Sequence, residues 1–230
     1  MLKRLDRVQI VVPALSAAES VVGKVLGGEL LRRDGVPPLG AKRSAMQAGT
    51  SIIELLEPDG AGVVNDFAAK WGGGLFGVGF SVGEIEVAER YFGKVSVKFE
   101  KSNGQLFLEP AATFGMRTVI SQHHERAPIG MIKWTYEVTN VVGDWKAAAD
   151  RYAKIFALDA SKFSPITSKE YGYTGTLTLF NPPERLDRVE ISQITDPKLA
   201  MGRFHAKRGD SLYMFFAESD DVQALADRLT

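Results

Sequence analysis

Leu5-Asp6-Arg7-Val8-Gln9-Ile10-Val11-Val12-Pro13 decides how the rest of the chain is read. Its β-branched content predicts a strand over Leu5 to Val12. Alternation puts Val8, Ile10 and Val12 on one face and Arg7, Gln9 and Val11 on the other. A helix is predicted next. Ser16 with Glu19 fits a capping box, and Gly27-Gly28 ends the segment. Strands are predicted over 29–33 and 41–47. A stronger one, Ser51-Ile52-Ile53-Glu54-Leu55-Leu56-Glu57, is stopped by Pro58-Asp59-Gly60.

The same order of elements then restarts. Leu75 to Val82 reads as a strand, Ile85 to Phe92 as a helix, and 95–100, 104–109 and 116–122 as strands. His123 to Gly130 reads as a linker. A third start is Met131 to Val138. Asp144 caps a helix whose apolar positions include Trp145, Ala149, Tyr152 and Phe156. Strands at 174–180 and 187–193 follow. A fourth start is Ser211 to Phe216, with a helix from Asp220 to Leu229 and no strands after it. Four restarts of one unit set the fold expectation. It is α+β, built of repeated βαβββ modules paired into two curved-sheet cups, with the fourth module incomplete. The domains expected are 1–125 and 131–230.

Composition narrows the function classes. The 28 basic and 28 acidic residues give a net charge of 0, which argues against nucleic acid or a membrane surface as partner. There is no cysteine, so disulfides, thiolate nucleophiles and zinc-thiolate sites are excluded. Charges at Lys3, Arg4, Asp6 and Arg7 interrupt the N-terminus before any apolar run builds, so neither a signal peptide nor a spanning segment is predicted. A cytoplasmic location is the default expectation.

Leu5 to Val12, Ser16 to Gly28, and Ile52-Ile53-Glu54-Leu55-Leu56-Glu57-Pro58 together resemble the vicinal-oxygen-chelate superfamily of glyoxalases, bleomycin-resistance proteins and extradiol dioxygenases. Gly73-Gly74-Leu75-Phe76-Gly77-Val78-Gly79-Phe80 is similar to that family's Gly-Leu-His-His-Ile segment without its histidines. The resemblance implies paired modules with a divalent metal on each cup floor, held by residues of first and last strands. Carried over, the ligand positions are Arg7, Glu54, Gly77 and Gln122 in the first half, and Lys133, Glu190 and Tyr213 in the second. Only the two glutamates match the ligand type. Arginine has no lone pair for a metal, and one carboxylate per site is too few donors.

The expectation is therefore a cup whose metal is exchanged for a fixed cation, Arg7 beside Glu54 and Lys133 beside Glu190, with no cofactor and with divalent metal disfavoured. Glu54 is the acid/base candidate and Arg7 the anion partner. Gln9 shares the face of Arg7. Gly77, Gly79 and Ser81 share a face, and their small size predicts room for a ligand there. Gln122 or His123 is placed to reach that cup. Tyr213 and Phe215 are expected to fill the second cup, making the first the better pocket. Three readings follow. The first is a metal-free relative binding a small apolar or aromatic molecule in the N-terminal cup, with lyase or isomerase chemistry open to it. The second is a metal-dependent dioxygenase or glyoxalase-type lyase. The third is a non-catalytic assembly protein dimerising through sheet edges.

Overall fold

A computed structural model of the chain describes residues 1–229. Thirteen strands and six α-helices follow one another in a repeating order among the described residues. The first module is β1 (Leu2–Val11), α1 (Leu15–Leu26), β2 (Glu29–Val36), β3 (Ala41–Ala48) and β4 (Ser51–Pro58). After α2 (Val63–Trp71), the second is β5 (Gly74–Val82), α3 (Ile85–Lys94), β6 (Phe99–Ser102), β7 (Gln105–Leu108) and β8 (Arg117–Gln122). The third is β9 (Trp134–Val142), α4 (Trp145–Phe156), β10 (Ser164–Ser168), β11 (Tyr173–Asn181) and β12 (Arg185–Ile194). Then come α5 (Ala200–Arg208), β13 (Ser211–Glu218) and α6 (Val222–Asp227). The α+β repeat of βαβββ modules expected from the sequence is what forms.

Strand order runs β2-β3-β4-β1-β5-β8-β7-β6 in one sheet and β10-β11-β12-β9-β13 in the other. Within the first module β1 lies parallel to β4, and β3 is antiparallel to both of its neighbours. The third module repeats this, with β9 parallel to β12 and β11 antiparallel to β10 and β12. Parallel pairing needs a crossover, and the helix of each module starts that crossover. The remaining turns are short enough for hairpins.

The chain forms two compact units. One holds Met1–Leu5, Phe80–His123 and Tyr136–Phe216, and the other holds Asp6–Gly79, His124–Thr135 and the segment from Ala217 onward. The core of the first unit is aromatic. Phe80 meets Phe156 and Phe180 edge-on at 5.5 and 5.2 Å, and Tyr152 meets Phe156 at 5.7 Å. The Tyr152 hydroxyl donates to the Thr113 carbonyl at 2.7 Å and accepts from Asn140 Nδ2 at 3.0 Å, which permits its full burial. The core of the second unit is aliphatic, built on Val8, Ala45, Ile53, Leu56, Val64 and Val78.

Helix starts show where local sequence rules hold. Asp144 caps α4 as expected, its Oδ1 accepting from the Lys146 and Ala147 amides at 3.0 Å each. The Ser16–Glu19 box does not form. Helix α1 starts behind Ala14, and the Glu19 carboxylate is held by Arg33 at 2.8 and 2.6 Å and by the Ser44 hydroxyl. A guanidinium and a hydroxyl outbid the backbone amide for that carboxylate. Gly27 closes α1 in the left-handed region, φ 66°, where its Cβ-free backbone is needed. No described helix is long and apolar enough to cross a membrane.

Candidate functional site

Strands β1 and β4 place Gln9 directly opposite Glu54, and β9 and β12 place Thr139 directly opposite Glu190. Glu54 and Glu190 are thus the same position in two copies of the module. Two residues before Gln9 stands Arg7, and two before Thr139 stands Glu137. The counterpart of Arg7 is therefore Glu137. The pairing of Lys133 with Glu190 does not form: Lys133 precedes β9, and its ammonium is held by Asp220 at 2.6 Å and Glu218 at 3.5 Å. Lys133 and Glu137 differ by four residues, an even number, so alternation along a strand puts them on the same face and cannot tell them apart.

The first-module position is a closed ion network. Arg7 Nη1 donates to Glu54 Oε1 at 2.7 Å, Arg43 Nη1 to the same oxygen at 2.9 Å, and Gln9 Nε2 to Oε2 at 2.8 Å. Arg7 also holds Asp6 at 2.7 Å, and Arg126 holds Asp6 from the other side at 2.8 Å. Arg43 reaches on to Asp34 at 2.9 and 2.6 Å. Asp6, Arg7, Gln9, Arg43 and Glu54 are all buried. Burial alone would raise the Glu54 carboxyl, but Arg7 and Arg43 together outweigh it and hold Glu54 below the usual carboxylate range. Asp6 is likewise pushed up by burial and brought below its ordinary value by Arg7 and Arg126. Glu54 and Asp6 are thus held in their charged forms by paired guanidinium groups.

The room expected beside Gly79 is taken. A β-carbon built there would overlap Cγ and Cδ of Arg7, so the small residue serves to let the arginine stem lie against β5. Gly77 is buried in the same strand. Gln122 is exposed at the end of β8, and His123 Nδ1 lies 3.0 Å from the Ser81 hydroxyl. A divalent ion does not suit the Glu54 surroundings, because the carboxylate's neighbours are two guanidinium groups. Among the described residues, no group of three or more His, Cys, Asp or Glu is arranged to hold a metal ion.

The third-module position is open. A cavity of about 480 Å³ is lined by Thr139, Tyr173, Glu190, Met201, Tyr213 and Phe216, among others. That volume lies in the range of small-molecule sites. Tyr213 lines this space without filling it, because its ring turns edge-on against Phe204 at 4.8 Å. Helix α5, which no strong sequence signal announced, supplies Met201. Gly202 lets that helix press on the backbone at Asp196 and Pro197, where a β-carbon would clash.

Diagonal to Glu190 on the paired strand stands Glu137, whose carboxyl Glu190 influences directly. Ser192 Oγ donates to Glu190 Oε1 at 2.6 Å, and Arg188 Nη2 pairs with Glu137 Oε2 at 2.5 Å. Burial, opposed by Arg188 and reinforced by Glu190, pushes the Glu137 carboxyl up to about 7. Two adjoining carboxyls beside a mostly apolar cavity, one of them holding a proton near neutral pH, form an arrangement suited to proton transfer. Glu137, Arg188, Thr139 and Met201 were missed in the sequence. The signal available was a carboxylate on each of the two strands that pair in parallel, which requires the register to be seen.

No family model and no curated protein matches the chain. Among solved structures it is similar to a mutant of 4-hydroxymandelate synthase from Streptomyces coelicolor. That likeness has a TM-score of 0.74 at 11% identity and covers 99% of this chain and 76% of that one. It is also similar to methylmalonyl-CoA epimerase from Mycobacterium tuberculosis, with a TM-score of 0.48 at 19% identity over 54% of this chain and 89% of that one. The first likeness runs the length of the chain and fixes the fold as the repeated βαβββ type.

Proposed function

We propose that this chain is a vicinal-oxygen-chelate-type protein that binds a small apolar or aromatic molecule and moves a proton on it without a divalent metal. The binding place is the third-module cavity, not the first-module cup. The observation that carries the reading is the Glu190–Glu137 carboxyl pair at the wall of that cavity. Glu190 is the group that touches the ligand. Glu137, diagonal to it on the paired strand, acts through Glu190 and is a positioning residue. Thr139, opposite Glu190, offers a hydroxyl to orient a polar group of the ligand. The apolar wall excludes water, which strengthens each electrostatic contact inside. The whole-chain likeness to 4-hydroxymandelate synthase supports the superfamily, and the lyase or isomerase class is what a proton-transfer pair without a metal can serve.

The test is a fragment screen on chelator-treated protein, followed by incubation of each binder in D2O. Binders that exchange a carbon-bound hydrogen with wild type, and do so at least about 100-fold more slowly with Glu190→Gln, support the reading. Binding that returns only when a divalent metal is restored, or exchange that survives in Glu190→Gln, overturns it.

A further inference from the structure

We infer that the ligand of the third-module cavity is an organic cation, a small amine carrying an aromatic or apolar body. The inference rests on that cavity being the binding site. The first module shows the same position with its charge satisfied. Glu54 is embraced by two guanidinium groups, from Arg7 on β1 and Arg43 on β3. The position of Arg7 is held by Glu137 in the third module. Arg43 stands opposite Leu56, two residues beyond Glu54. The residue opposite Ser192, two beyond Glu190, is Gly175. Both cations of the first module are thus replaced, one by a second carboxylate and one by a residue with no side chain.

One guanidinium remains near the pair. Arg188 is engaged with Glu137 at 2.5 Å, donates to the Leu186 carbonyl at 3.0 Å and lies over the Tyr136 ring at 4.9 Å. Its ion pair is with Glu137, and among the described residues none joins it to Glu190. Glu190 is only 7% exposed, so little water solvates it. A largely desolvated carboxylate gains most from a cation. The cavity lining adds Glu170 and contains no lysine, arginine or histidine among the described residues. Tyr171, Tyr173, Tyr213 and Phe216 surround the same space. An aromatic lining favours an ammonium group over a neutral one of equal size. Charge and ring surface therefore select the same ligand class.

Three probes of one shape separate charge from size: phenethylamine, phenethyl alcohol and phenylacetate, titrated by calorimetry into the wild-type chain. The amine should bind about tenfold or more tightly than the alcohol. Phenylacetate should bind more weakly than both. Glu190→Gln should bring amine and alcohol to within about threefold of one another. Glu137→Arg recreates the first-module arrangement and should abolish the amine's advantage while the alcohol still binds. An alcohol or acid that binds as tightly as the amine overturns the inference, as does an amine preference that survives both variants. The underlying reading fails separately. If Met201→Trp, which fills the cavity, leaves every probe's binding unchanged, or if none of the three binds the wild type, the cavity is not the site and the inference falls with it.

Discussion

Glu54 and Glu190 stand at one position of one module, yet one is sealed among guanidinium groups and the other faces an open cavity. In the first module the cations are on β1 and β3, and they close over the carboxylate. In the third the cation is on β12 beside the carboxylate itself, and the first strand carries Glu137 instead. Moving one charge from the first strand to the last changes what the position can do. Where cation and anion face each other, the result is a neutral, buried, proton-free network. Where a carboxyl on the first strand stands diagonally beside one on the last, burial and that neighbour raise it to about 7, and space is left for something else. Under the proposed function, a module serves as a support in one copy and a site in another without a change of fold.

The largest effect should come from breaking the sealed copy. Arg7→Met leaves Glu54 and Asp6 buried with fewer cations. Removing one partner of a buried ion pair costs about 3–5 kcal/mol. Urea unfolding is the measurement, and a loss below about 1 kcal/mol would show the network to be solvated and the contrast with the third module weaker than drawn. Glu190→Gln is the matching change in the open copy. It should stay within about 1 kcal/mol of wild type, because glutamine keeps the size of the side chain and an acceptor oxygen for Ser192, and it should show its effect in proton exchange.

A smaller effect lies in the pH dependence, where the two copies pull in opposite directions. Glu137 is raised from an ordinary 4.5 to about 7 by burial, against Arg188 and with Glu190. The folded chain therefore holds that proton more tightly than the unfolded one. Its stabilising contribution is complete below about 4.5 and is lost as pH climbs through about 7. Asp187, also raised by burial, adds to the same trend from its lower ordinary value of 3.8. Asp6 and Glu54 are lowered, so their contribution is present above the ordinary carboxylate range and is lost as pH falls. Glu137→Gln should flatten the decline in urea midpoint between about pH 5 and about pH 8 while leaving the acid limb in place. An unchanged decline would assign it to other groups.

Much of this was legible from the chain alone, and the division between what was and was not has a physical cause. The repeated module followed from strand and helix periods and from turn residues, which are local. The Arg7–Glu54 pair followed because both residues sit at recognisable points of well-marked strands. The partner of Glu190 did not follow. Choosing between Lys133 and Glu137 needs the register of two strands some fifty residues apart, and alternation repeats every two residues, so a slip of four is silent. The cavity was also invisible. Arg7 lies against Gly79, and Tyr213 turns toward Phe204, and both are packing outcomes that composition does not reveal.

The smallest effect carries the comparison to the module helix. Helix α4 is capped within its own sequence by Asp144, whose carboxylate takes two amides of the first turn. Helix α1 begins behind Ala14 with no side-chain cap of its own, and its Leu15 amide is met by Glu57 Oε2 from β4 at 2.8 Å. The third module therefore caps its helix locally, while the first does so through tertiary structure. Asp144→Ala should cost about 1 kcal/mol, the usual value of an N-cap side chain. Glu57→Gln keeps an acceptor for Leu15 and loses only the charge that favours a helix N-terminus, so its cost should be about 0.3–1 kcal/mol. Urea titration of both variants reads the difference. If Glu57→Gln proves the more costly, the first-module helix depends on β4 more than the third-module helix depends on its own cap, and the two copies differ in their support as well as in their site.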